Sequence, residues 1–191
     1  MHTLLKHPGV SAVLLAAAIA GGSIASAQQT APVTPFESGV KISVTASKPA
    51  KGDGYYESKR QKIVLALKFL NSDAKQTYEG FTATVSVFGQ SGQDHKARKV
   101  LSQENVTLSL PPLKTQEHVC KEVVTQFYQD GSYKSGFSYD GWIIVVKDAK
   151  GKIVHVKSSS ATMAKYTELA AKLKLNECYN SKLQPVASPR Y

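Results

Sequence analysis

The chain has 191 residues, with 24 Lys and Arg against 14 Asp and Glu and a formal charge of +10. That is room for one ordinary domain and short extras. The sequence holds no Gly-x-Ser-x-Gly turn, no phosphate loop and no His-Glu-x-x-His, and no two of its few carboxylates pair on one expected strand, so it displays no recognisable catalytic apparatus.

Residues 1–27 read as a targeting segment. His2, Lys6 and His7 make a basic start, Val10 to Ala20 is a short apolar core, and Ala25-Ser26-Ala27 is a small-x-small cleavage signal. Gly21-Gly22 interrupts the apolar run before it is long enough to span a bilayer. The expectation is an exported chain with no transmembrane span once cleaved, in the periplasm, on the outer membrane surface or secreted. The segment also resembles a type IV pilin precursor, in which a basic stretch and a Gly precede an apolar helix that is kept. Gly9 precedes Val10 here, but Leu14 stands where that pattern has Glu.

Residues 28–38 hold two prolines and few apolar residues and read as a flexible lead-in. Val40, Ile42 and Val44 alternate with polar residues, which predicts a strand over 39–47. A polar loop follows at 48–61, carrying Tyr55 and Tyr56. Ile63, Leu65, Leu67 and Phe69 share one face of a strand over 62–70, and Phe81, Ala83, Val85 and Val87 one face of another over 77–88. After a loop at 89–94, His95 to Leu101 reads as a short basic edge strand. Val106, Leu108 and Leu110 then alternate until Pro111-Pro112 stops them. Over Thr115 to Tyr128 the spacing of Val119, Val123 and Phe127 suits a helix, but the β-branched and aromatic content favours a strand. Residues 130–141 read as a loop.

Trp142 to Val146 is an unbroken β-branched and aromatic run, the pattern of a strand covered on both faces. Asp148-Ala149-Lys150-Gly151 supplies a turn, and Ile153 to Lys157 alternates on the way back. Ser160 then caps an expected helix over 161–174, striped by Met163, Tyr166, Leu169, Ala170 and Leu173, with Asn176 able to end it. Residues 181–191 read as a disordered tail.

The fold expected is all-β: an immunoglobulin-like sandwich of about seven strands over 39–158, with a C-terminal helical segment at 159–180. In an exported protein the pair Cys120 and Cys178 is most simply a disulfide tying that segment to the sheet. Closing a loop of roughly 59 residues would add about 4 kcal/mol on the chain-entropy model.

Two features could carry binding. Aromatic residues are dense over 127–142, and Tyr133, Phe137 and Tyr139, with Tyr55 and Tyr56, are candidate contacts for a sugar ring or a protein partner. The plainer reading makes Phe127 and Trp142 core and the tyrosines plugs at the sandwich end. Lys59, Arg60, Lys96, Arg98 and Lys99 form a candidate basic patch that would attract acidic glycans or anionic envelope surfaces. Its plainer reading is a solvated face, and no nucleic-acid motif accompanies it. His95, His118 and His155 show no repeated metal spacing and read as strand or surface residues, so no metal site and no cofactor are expected.

The strand-rich body from Lys41 to Lys157, closed by GWIIVVKDAKGKIVHVK, resembles an immunoglobulin or fibronectin-III-like domain. Its layout is similar to small exported immunoglobulin-like proteins encoded beside type IV pilus genes in mucin-degrading gut bacteria, whose fold is similar to the heads of archaeal type IV pilins. The resemblance implies a surface or pilus-associated protein of the cell envelope, without catalysis, meeting an envelope protein or another copy of itself. The rival reading is a carbohydrate- or mucin-binding module using the aromatic loop 130–141.

Overall fold

The period-two apolar patterns do become strands. The computed structural model describes residues 33–47 and 57–189 and places the strands in two antiparallel sheets. The targeting segment, the lead-in as far as residue 32 and the loop with Tyr55 and Tyr56 lie outside these residues. In chain order the elements are α1 (Phe36–Gly39), β1 (Val40–Ala46), β2 (Glu57–Ile63), β3 (Leu65–Asn71), β4 (Tyr78–Ser91), β5 (Arg98–Leu110), β6 (Thr115–Val119), β7 (Val123–Asp130), β8 (Tyr133–Lys147), β9 (Ile153–Ser158), α2 (Ala161–Ala164), α3 (Thr167–Ala170), β10 (Cys178–Tyr179) and β11 (Pro185–Val186). The smaller sheet has the order β1-β3-β6. The larger runs β11-β10-β5-β4-β8-β7-β2, with β9 also on β8.

The core lies between the sheets. Ile42, Leu65, Leu67 and Phe69 of the small sheet meet Val85, Leu108, Ile144 and Val146 of the large one, all buried. The run Trp142 to Val146 is buried on both faces, as its composition requires. Ile144 and Val146 point into the inter-sheet core, while Ile143 and Val145 point to the back. There Met163, Ala170, Leu173, Tyr179 and Leu183 from the C-terminal segment cover them. Burying each of these aliphatic chains is worth about 1.5–3 kcal/mol against leaving it in water.

The hairpin turn forms where the sequence places it. Asp148 Oδ1 accepts the Lys150 and Lys152 N–H groups at 2.9 Å each, and Gly151 donates to the Asp148 carbonyl. Gly151 has φ +79°, which an L side chain rarely adopts.

Several expected elements are redrawn. The strand expected over 62–70 is two strands, and they lie in different sheets. The chain changes sheet at Val64, whose N–H and carbonyl are taken by the Ser47 hydroxyl and N–H. Ile63 and Leu65, on either side of that step, both reach the same core. The strand over 115–128 divides in the same way, with Cys120 to Glu122 crossing from β6 to β7, so Cys120 sits in a connection and not in a strand. The expected edge strand from Arg98 on and the piece at 106–110 are one strand, β5, interior to the sheet, while His95 and Lys96 lie in the turn before it. A register shift opposite Val87 and Phe88 accommodates Leu101 as the extra residue of a bulge.

The lead-in from Val33 is ordered, because Phe36 gives it a hydrophobic anchor. Phe36 packs edge-on to Tyr78, with ring centroids 5.5 Å apart, and also stacks on Phe81. The Tyr78 hydroxyl donates to the Thr34 carbonyl. The helix over 161–174 is two single turns, α2 and α3, broken at Lys165 and Tyr166. Helices this short are marginal by themselves, and here packing on the β8 face decides the path. Asn176 does take a left-handed conformation, φ +67°. The tail expected to be disordered folds back: β11 pairs with β10, and Leu183 is buried.

The expected disulfide is not formed. Cys120 and Cys178 are both free and both buried. Cys120 faces the inter-sheet core beside Glu104, whereas Cys178 pairs with Lys99 near the start of β5. Lys99 and Glu104 are five positions apart along β5, roughly 15 Å of strand, beyond the reach of any S–S bond. What holds the C-terminal segment is apolar burial and backbone pairing with β5, where Val100 donates to the Glu177 carbonyl and accepts from the Asn176 N–H.

Candidate functional site

The stretch expected as an aromatic loop is the first half of β8. Only Gly131 and Ser132 turn, and Tyr133 to Gly136 pairs with Phe127 to Asp130 of β7. Glycines and serines suggest a loop here, but alternating Tyr133, Phe137 and Tyr139 supply strand propensity that wins once β4 and β7 offer partners. Gly136 permits the crossing: at φ +80°, a Cβ there would sit 2.1 Å from the Gln126 carbonyl oxygen. The result is an arm, β2-β7-β8, at the end of the large sheet. Among the described residues β2 is its edge.

The outer face of this arm carries exposed apolar side chains among polar ones, with Gln126 between Val124 and Tyr128 and Asp130 paired with Tyr133. Val124 and Tyr128 alternate outward on β7, and Tyr133 lies diagonal to Tyr128 with ring centroids 6.4 Å apart at 62°. All three are exposed, Tyr133 at 53%. Tilted rings of this kind do not make a flat platform for a sugar. The other candidates do not join them. Phe137 lies under the Lys99 ammonium at 5.6 Å, and Tyr139 packs against the inter-sheet core, where burial first and then Asp140 push its phenol pKa up.

The basic residues do not converge either. Arg60 is exposed on β2, and Lys59 belongs to the same strand. Lys96 lies in the turn before β5 and Arg98 and Lys99 at its start, with β4, β8 and β7 between. Arg98 is half-buried and paired with Asp140. Most of the positive charge on the arm is that of β2, where the sequence Glu-Ser-Lys-Arg-Gln-Lys-Ile carries three cations against one acid and Lys62 pairs with Glu122 at 3.2 Å; β8 adds Lys134.

A second constellation forms where the chain crosses from β6 to β7. Gln116, His118 and Cys120 fall on one face at period two, turned toward β5. The Gln116 amide accepts the Ser109 N–H at 3.0 Å and donates to the Thr107 carbonyl at 2.8 Å. His118 Nε2 lies 3.4 Å from Glu104 Oε2, and Cys120 completes a group whose donor atoms all lie within 4.8 Å of one another. Burial, helped by the Glu104 charge, pushes the Cys120 thiol up to about 11. Sequence spacing alone does not reveal this group, because Glu104 arrives through the packing of β5 on β6. The trace that was legible is His118-x-Cys120, an i, i+2 pair on one strand face.

His155 occupies a third place, a shallow hollow of about 300 Å³ beside Glu37, Val154, Ala164 and Thr167. Its ring stacks on Phe36 at 6.3 Å. Burial lowers its pKa, with Lys157 acting the same way and Glu37 opposing. The folded state thus prefers the neutral ring. As pH falls below the unfolded value of about 6.5, the unfolded chain takes the proton first and stability drops. Urea midpoints are expected to fall between about pH 7 and pH 5, and His155→Phe to lose part of that fall.

The fold and these sites define a mostly-β protein of antiparallel sheets, with a helical segment on one back and no described helix long and apolar enough to cross a membrane. No protein-family model matches the chain, and no curated protein matches it. Among solved structures it is similar to a protein from Akkermansia muciniphila, with 14% identity, a TM-score of 0.32, and coverage of 66% of this chain and 75% of that one. It is also similar to the structural-genomics target SoR45, at 8% identity and a TM-score of 0.31, covering 64% of this chain and 87% of that one. A β-glucosidase from Kluyveromyces marxianus matches at 12% identity and a TM-score of 0.28, over 62% of this chain and 14% of the enzyme. Likenesses this distant define neither a family nor a role.

Proposed function

We propose that this chain is an exported, non-catalytic protein of the cell envelope, an immunoglobulin-like sandwich that works by protein–protein contact through the β2-β7-β8 arm. The observation that carries the reading is the exposed Tyr128–Tyr133 pair, with exposed Val124 further along the same face of β7. Large apolar groups clustered on a strand face are what a protein partner covers, and Tyr is a preferred anchor at such surfaces. β2 lies beside them as the edge of the sheet, with a row of backbone donors and acceptors a further strand can use. The occupant is an acidic segment of another envelope or surface protein. The net positive charge of β2, with Arg60 exposed and Lys62 already paired to Glu122, would disfavour a second copy of the same strand and attract carboxylates.

The test is a photo-crosslinking side chain placed at Tyr133 on intact cells, with the same group at Lys150, in the turn after β8, as control. The expected result is one discrete envelope partner, seen from position 133 alone and lost in an Arg60→Glu background. Equal crosslinking from both positions, or a product insensitive to Arg60→Glu, overturns the arm as the contact surface. A ladder of multiples of this chain replaces the acidic partner with self-assembly. Retention on acidic glycans that disappears in Tyr133→Ala replaces it with the carbohydrate reading.

A further inference from the structure

We propose that Glu104, His118 and Cys120 form a binding site for a divalent transition metal of the zinc type, one that ties the two sheets together. The donor set is a carboxylate oxygen, an imidazole nitrogen and a thiol sulfur, the three ligand types zinc takes in proteins. They reach one point from separate elements: Glu104 from β5 of the large sheet, His118 from β6 of the small one, and Cys120 from the crossing that follows.

The spacing suits an ion better than it suits a direct contact. His118 Nε2 and Glu104 Oε2 are 3.4 Å apart, longer than an ordinary N–H···O bond of about 2.7–3.2 Å. Two ligands at about 2.0–2.1 Å from a tetrahedral zinc stand about 3.4 Å from each other, which is the separation found. The sulfur lies within 4.8 Å of both of the other donor atoms.

The support around the ligands points the same way. Glu104 Oε1 accepts the Lys121 N–H at 2.7 Å, which leaves Oε2 turned toward His118. The Cys120 N–H is fixed by the Leu65 carbonyl at 2.9 Å, and His118 is set by its register opposite Leu67. Holding ligands in place before the ion arrives is what outer partners do in protein metal sites. Charge also balances: a carboxylate and a thiolate offset a dication, so the occupied site carries no net charge at the rim of the core. The His118 side chain is 32% exposed, and its side of the triangle offers the entry path and a fourth position for water.

Binding would release the thiol proton to solvent and form the metal–sulfur bond without any redox change. The occupied site would join elements of both sheets, a different link from the disulfide expected to hold the C-terminal segment. It stands apart from the arm, so it survives or fails independently of the reading above.

The experiment uses the untagged chain after its metal has been removed with a chelator. Zinc chloride is titrated in by calorimetry, and cobalt chloride is added as a spectroscopic probe. The expected result is one zinc per chain, a raised thermal midpoint, and a thiolate-to-cobalt charge-transfer band in the near ultraviolet. Cys120→Ser should abolish that band, and His118→Gln should weaken zinc binding by at least about tenfold, both while keeping the circular dichroism of the parent. His155→Gln should bind as the parent does. The proposal is overturned by the absence of stoichiometric binding, by a cobalt spectrum without the sulfur band, or by unchanged affinity in folded His118→Gln.

Discussion

Replacing Asn71 with leucine is expected to cost about 3–5 kcal/mol of folding stability. Asn71 ends β3 and has no exposed surface. Its amide nitrogen donates to the carbonyls of Gln76 at 2.7 Å, Leu110 at 3.0 Å and Pro111 at 3.0 Å, and its oxygen accepts the Asp73 N–H at 2.9 Å. One side chain thus joins the end of the small sheet to the end of β5 in the large one. Leucine fills similar space but leaves those carbonyls facing an apolar group, and an orphaned buried acceptor costs about 1–3 kcal/mol. Asn71→Asp should be worse at neutral pH, since it sets a carboxylate against three carbonyl oxygens. Urea unfolding followed by the fluorescence of Trp142, the one tryptophan of the chain, measures both. An Asn71→Leu cost below about 1 kcal/mol would mean that water replaces the amide.

Ile144→Ala is expected to cost about 2–5 kcal/mol, the range for emptying a closed aliphatic site. Ile144 sits in the middle of β8 with no exposure, paired with Val85 on one side and Lys157 on the other, so the strands around it cannot collapse inward. Ile143→Ala should cost a similar amount by a different route. It removes the surface on which the C-terminal segment rests, so that segment should become the first site of limited proteolysis, before global unfolding. Hydrogen exchange that rises over residues 161–186 in Ile143→Ala, and over both sheets in Ile144→Ala, would confirm that β8 divides two packing layers.

How much of this was legible depended on range. Period-two alternation is local, so Val40 to Val44, Leu65 to Phe69 and the hairpin from Trp142 to Lys157 could be read directly. Sheet membership is not local. Nothing in the run Ile63 to Phe69 marks Val64 as a crossing, because the apolar alternation continues through it while the backbone partner changes. The cysteines show the same limit. Their number and the expected export favour a bond, but only the placement of β10 against Lys99 and of Cys120 against Glu104 decides. The candidate metal group was hidden for that reason too, since one of its three ligands arrives by tertiary packing. The 130–141 stretch failed locally: its glycines outweighed its aromatics in the reading, and its strand neighbours reversed the weights.

The back layer on β8 has a consequence for how the molecule is made. Residues 163–183 emerge from the ribosome after β8, so Ile143 and Val145 are synthesised well before anything can shield them. Until then the nascent sheet carries an oily stripe, a natural grip for a holding chaperone and a hazard for clumping if release comes too early.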